Sequence, residues 1–190
     1  MHALFFEVRP KPGHLDNYFE HVALLRPVLA RHTGLKFLDR YTARNDPDLL
    51  LSHQLWDSED SIIAWRRDTT HRRSQSAGRQ VHFEDYRIRV GERVLHWTAT
   101  DQDAAAAKPV VSGAAHVLAL YSTAPIIAPA FVTFESVNTK GMFVALATTD
   151  DYAAAETLLN DNIDAPGLDE GAIYRILRDY GQFDRTQAPT

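Results

Sequence analysis

LSHQLWDSEDSIIAWRRDTTHRRSQSAGRQVHFEDYRIRV, residues 51–90, carries strand, cap, helix, turn and strand signals in one run. Leu49 to Trp56 is an apolar run of strand length, after which Asp57 and Ser58 can cap a helix whose first turn holds Glu59 and Asp60, the charge sign a helix N-terminus favours. Ile62, Ile63 and Trp65 give that helix an apolar side, Gly78 is placed to end the helical stretch carrying His71 and Gln75, and Val81 to Val94 reads as a long strand. The unit is β-α-β.

Working back toward the N-terminus completes a larger pattern. His2 to Val8 reads as a buried strand and Arg9 to Gly13 as a turn with two proline-fixed φ angles. A helix follows, with Leu15, Tyr18, Phe19, Val22, Leu25 and Leu29 at three- and four-residue spacing, and Gly34 closing it after His32. Pro27 inside that run either bends the helix or begins a second segment. Leu35 to Arg44 is the next strand, and Asn45 to Asp48 turns it into Leu49 to Trp56. The order over the first half is β-α-β-β-α-β.

The tryptophan closing one strand, the Ser-Glu-Asp helix start, the second tryptophan and then HRRSQSAGR followed by FEDYRIRV resemble the antibiotic biosynthesis monooxygenase (ABM) domain family. The resemblance covers about residues 1 to 97. It implies an α+β, ferredoxin-like fold of the dimeric α+β barrel type, and a barrel that serves oxygenases, haem degraders and proteins of other function alike.

Thr98 to Gly113, with an alanine run and Pro109, reads as a linker between residues 1–97 and 114–190. Beyond it the order repeats in degraded form: strands at His116–Ser122, Phe131–Asn138 and Gly141–Thr149, a helix at Asp150–Asn162 and a strand at Gly171–Phe183. SEDSIIAW corresponds to TDDYAAAE, and FEDYRIRV to AIYRILRDY, while the first helix has no counterpart because Ser122 to Pro129 is short and holds two prolines. The expectation is an internal duplication whose second copy has lost that helix. The second sheet would then cover the first, making an intramolecular pseudo-dimer, although Arg87, Arg89 and Arg93 on the long strand also suit pairing in a homodimer.

Composition narrows the function classes. A formal net charge of −5 gives no basic surface of the kind nucleic-acid binders use. The chain has no cysteine, which removes disulfides, thiolate nucleophiles and iron–sulfur ligation. The first residues lack the basic segment and apolar core of a signal peptide, and the apolar run Val117 to Val132 is interrupted by Ser122, Thr123, Pro125 and Pro129, so no membrane partner and a cytoplasmic location are expected.

The chemistry therefore rests on His, Trp, Tyr and Arg. His14, His21 and His32 fall near one stripe of the first helix, but His14 and His21 would stand ~10 Å apart along the axis, too far to share a metal ion. No HxH, HxxxH or HExxH spacing and no GxGxxG loop occurs, so no metal and no cofactor is expected. In the resembling family a helix tryptophan lines a pocket between helices and sheet, and Trp65 matches it; a core role is the alternative. His71, six residues on, could act as a base with a reference pKa near ~6.5, or be a surface residue of the basic run. The haem-degrading members carry their axial histidine where this chain has Gln75, and an asparagine on a first strand that here offers Phe6, Glu7 and Val8. The expectation is a cofactor-independent oxygenase of an aromatic or polyketide-like phenol, using molecular oxygen, with Trp65 and His71 catalytic and His53, Tyr86 and Arg87 binding substrate. A non-catalytic ligand-binding or assembly barrel and a haem-binding protein are the alternatives.

Overall fold

The computed structural model describes residues 1–105 and 113–189. Within them nine strands and four α-helices follow in the order β1 (His2–Pro10), α1 (Leu15–Leu29), β2 (Leu35–Ala43), β3 (Asp46–Trp56), α2 (Glu59–Arg67), α3 (Thr69–Ala77), β4 (Phe83–Thr98), β5 (Asp101–Ala105), β6 (His116–Ser122), β7 (Val132–Ser136), β8 (Phe143–Thr149), α4 (Tyr152–Asn162) and β9 (Leu168–Gly181).

Hydrogen bonding orders the strands β1-β3-β2-β7-β8-β6-β9-β4-β5, and β4 also pairs with β1. The extra pairing closes the sheet. Within the first half the order is β2-β3-β1-β4, and the second half repeats it as β7-β8-β6-β9, each the antiparallel arrangement of a ferredoxin-like module. The modules join at both edges, β2 to β7 and β4 to β9, so eight strands form a barrel within one chain. The two sheets therefore meet through shared edges as well as facing each other. Arg87, one of the charges that also suited pairing with a second chain, is paired within this chain with Asp179 of β9 at 2.9 and 2.6 Å.

Alternation along each strand divides the molecule into layers. The barrel interior is a packed core of Ala3, Phe5, Leu51, Val117, Phe134, Val144, Tyr174 and their neighbours. Outside it, α4 covers Leu118, Leu120, Ile173 and Trp97, while α1, α2 and α3 cover the first module. β4 serves both modules because it is 16 residues long and shifts register between Val90 and Gly91. A Cβ at Gly91 would stand 2.9 Å from Tyr174 Cβ and 3.1 Å from the Arg175 carbonyl oxygen, so this crossing requires glycine.

The helix ends follow from side-chain caps. Ser58 Oγ accepts from the Ser61 amide at 3.2 Å, and Asp151 caps α4 through the Ala154 amide at 2.8 Å. The sequence suggested one helical stretch up to Gly78, whereas the structure breaks it at Asp68. Its carboxylate accepts from the amides of Thr70 and His71 at 2.8 and 3.1 Å, starting α3 anew. Gly78 does not stop the helix either: its φ is −53°, and a single π-helical turn, Gly78–His82, continues to β4. A Cβ there would lie 2.4 Å from the Phe83 ring, so any larger residue would have to displace that ring. Pro27 sits in the last turn of an unbroken α1. Among the expected histidine stripe only His21 is on the helix; His14 is its N-cap and His32 lies beyond its C-cap. Between β6 and β7 there is no helix, as expected from the two prolines. Of the expected linker, Thr98 ends β4, a short strand at Asp101–Ala105 pairs back onto it, and residues 106–112 lie outside the described residues.

A fragment ending at residue 105 would leave the β2 and β4 edges unpaired and the inner face of the first module uncovered. It is expected to dimerise or aggregate in sedimentation velocity. A monomeric fragment with native circular dichroism would show that closure by the second module is dispensable.

Candidate active site

Two adjoining cavities, about 280 and 310 Å³, lie between the helices and the outer face of the first module's sheet. Their floor follows from register. Ser52, Phe6, Ile88 and Tyr180 form one cross-strand row through β3, β1, β4 and β9, and Gln54, Leu4, Val90 and Arg178 form the next. Side chains two apart on a strand share a face, so both rows point at α2 and α3. The smaller cavity lies under α2 and α3 and reaches the C-terminal segment after β9; the larger lies under α1 against Tyr18, His21, Leu25 and Leu38.

Trp65, His71, Gln75, Phe6, Gln54 and Phe83 line both cavities and form the partition between them. The Trp65 indole is buried at 3 % exposure, and the His71 ring stacks on it with centroids 3.8 Å apart at 14°. His71 Nδ1 lies 2.9 Å from the Trp65 carbonyl oxygen, which only accepts, so this nitrogen carries the proton and donates. Nε2 is then an acceptor, and Gln75 Nε2 donates to it at 3.4 Å. Burial pushes the His71 imidazole down to about 4. It is neutral at pH 7, and a much weaker base than the reference value near ~6.5 suggested.

The other expected residues separate by strand parity. Tyr86 lines the smaller cavity, and its hydroxyl accepts from Arg185 Nη1 in the C-terminal segment. Arg87, one residue on, faces the other way and is held by Asp179. His53 also lies on the opposite face from Gln54: it is fully buried inside the barrel, stacked on Phe5 at 4.6 Å, with Nε2 2.6 Å from the Tyr121 hydroxyl. Neither of these two expected substrate-binding residues lines the two cavities. Burial pushes His53 down to about 4 as well.

Three further lining residues, Arg178, Tyr180 and Arg185, carry no signal in the sequence that ties them to this site. They come from the end of the second module, and Tyr180 stands 114 positions from Arg66 of α2, its hydrogen-bond partner. Arg66 donates to the Tyr180 hydroxyl at 3.1 Å and to the Pro189 carbonyl at 3.0 Å, pinning the C-terminal segment over the cavity. Alternation in YRILRDY shows which side chains share a face, but only the β4–β9 pairing says which face that is.

Comparison with known proteins agrees with this architecture. Residues 1–77 match the family model described as antibiotic biosynthesis monooxygenase. A relative from Pyricularia oryzae (strain 70-15), named jasmonate monooxygenase ABM, is 32% identical over 216 aligned positions that cover 100% of this chain and 97% of the relative. The chain belongs to the ABM family. Among solved structures, an aldoxime dehydratase covers 92% of this chain and 80% of its own with a TM-score of 0.50 at 8% identity, a likeness of fold alone. A putative monooxygenase from Fusobacterium nucleatum covers 94% of this chain and 93% of its own with a TM-score of 0.47 at 5% identity. The ABM family model stops at residue 77, before β4, whereas the Pyricularia relative spans both modules.

Burial of His53 makes stability depend on pH. This imidazole binds a proton in the unfolded chain near pH ~6.5 but in the folded chain only near 4, so stability is full above the unfolded value and falls as pH drops from about 6.5 to 4. His71, pushed down to about 4 by burial as well, adds a loss of the same sign over the same window, so each imidazole contributes about 3 kcal/mol, and urea unfolding midpoints of the wild type against His53→Gln across that range separate the His53 part. Gly78→Ala is expected to cost about 1–3 kcal/mol and to push the Phe83 ring toward the cavity partition, measurable as a lower midpoint and weaker ligand uptake.

Proposed function

We propose that this ABM-family chain is a cofactor-independent monooxygenase that oxidises a small aromatic or polyketide-like phenol with molecular oxygen in the cavity beside Trp65 and His71. The observation that carries the reading is the stacked Trp65–His71 pair, which presents an unprotonated Nε2, reached among the described residues only by Gln75 at 3.4 Å, over the apolar floor of the cavity. A phenol O–H can donate to that nitrogen while its ring lies against Phe6, Ile88 and the indole. The Pyricularia relative's name attaches monooxygenation to a chain of the same two-module extent.

The balance closes without an external reductant. A phenol with a free para C–H and one O₂ give the quinone and one water: one oxygen atom enters the ring, and the other leaves with the ring and hydroxyl hydrogens as water. All four electrons come from the substrate. His71 serves as a hydrogen-bond acceptor that orients the hydroxyl, because full proton transfer from a phenol with a pKa near ~10 to an imidazole at about 4 is too far uphill. Ionisation of the substrate then follows the solvent pH, and the dry cavity keeps the electron-rich ring next to oxygen.

Oxygen uptake with 1-naphthol, whose para carbon carries a hydrogen, should rise with pH along the phenol's own ionisation, show no inflection near ~6.5, and collapse toward pH 4 as His71 takes a proton. His71→Leu should lower kcat about 10- to 100-fold, the effect of losing a buried hydrogen bond, with His71→Gln retaining more activity than His71→Leu. An inflection near ~6.5 that disappears in the His71 variants would restore His71 as a titrating base; unchanged activity in both variants would remove it from the reaction.

A further inference from the structure

The smaller cavity is unevenly charged. Arg66, Arg72, Arg79, Arg178 and Arg185 line it with Glu59 as the one acidic side chain among the described residues, and Glu59 is engaged by Arg178 Nε at 2.6 Å. Arg66 directs Nε and Nη1 to the Pro189 carbonyl and the Tyr180 hydroxyl, and Arg185 directs Nη1 to the Tyr86 hydroxyl, all neutral acceptors. Arg72 and Arg79 make no side-chain hydrogen bond or ion pair among the described residues. Four guanidinium groups therefore stand around an apolar floor of Leu4, Phe6, Ile88 and Val90 without an acidic side-chain partner in the cavity among the described residues. Guanidinium charges beside low-dielectric walls create a potential that favours an anion, and their planar donors match a carboxylate.

We propose that this cavity binds an apolar carboxylate, its body on the Phe6, Ile88 and Trp65 wall and its carboxylate held by Arg79 and Arg185, with Arg66 and Arg72 adding to the field. That the bound carboxylate is also the molecule oxidised rests on the monooxygenase reading above; that an anion is bound does not. Because Arg185 reaches the cavity from the segment after β9, the second module supplies part of the specificity of a site whose floor belongs mainly to the first. The carboxylate would also anchor one end of the substrate, fixing which ring carbon lies beside His71.

The test uses the whole chain and a matched pair of probes, 5-hydroxy-2-naphthoate, whose ring carbon para to the hydroxyl carries a hydrogen, and its methyl ester, with binding measured by calorimetry and oxygen uptake measured separately. The acid should bind at least ~10-fold more tightly than the ester, the scale of one charge-assisted hydrogen bond, and added sodium chloride should weaken the acid alone. Arg79→Met and Arg185→Met should each remove most of that preference and leave ester affinity unchanged, which a collapsed pocket would not do. Equal binding of acid and ester, no binding of either, equal losses for both in the variants, or displacement of the acid by submillimolar inorganic phosphate would overturn the proposal. Selective acid binding without oxygen uptake would keep the anion site and reject the monooxygenase reading of it. Uptake with both probes and no preference between them would do the reverse.

Discussion

The pairing of β4 with β1 on one side and β9 on the other is the constraint on which the remaining structure depends. Without it the first module is a four-stranded sheet with an open edge; with it, eight strands close and the inner face becomes a sealed core. Closure fixes the role of every strand residue by parity, since one face is packed against the opposite module and the other is left for helices. Tyr86 and Arg87 are neighbours in sequence, yet one lines a cavity and the other ties two modules together.

The cavities exist because α1, α2 and α3 rest on the sheet through a few large side chains that do not fill the space between them. The Trp65–His71 stack is held by a backbone carbonyl, and its geometry depends on the break at Asp68, which restarts the helix so that His71 falls on the first turn of α3. Phe83 approaches the partition because Gly78 has no Cβ. Inside the barrel a second polar group, His53 with Tyr121, is satisfied by a 2.6 Å hydrogen bond and is closed off from either cavity. Burial pushes both imidazoles to about 4, but one faces open space and the other faces packed core. Their perturbation alone does not distinguish a site from a structural pair; the cavity does.

Much of the architecture was legible in the chain. Strand runs bounded by turn residues, caps such as Ser58 and Asp151, and the repeated acidic helix start placed the strands within a few residues of where they fold, and the two prolines after Ser122 marked the missing helix. Trp65 and His71 were visible as members of one amphipathic segment. Less legible was Asp68, because an aspartate within a basic helical run reads as a surface charge until its carboxylate is seen bound to two amides.

The sequence by itself determined the local elements, the repeated order and the candidate pair of Trp65 and His71, since each depends on contacts within one turn or one alternation. Only the tertiary structure decided that His53 and Arg87 turn away from the cavity, and that Arg178, Tyr180 and Arg185 turn toward it. Parity tells which side chains share a face of a strand, but the identity of that face depends on which distant strand is the neighbour. The β4–β9 pairing joins residues about 70 to 95 positions apart, and no local propensity encodes a contact at that separation.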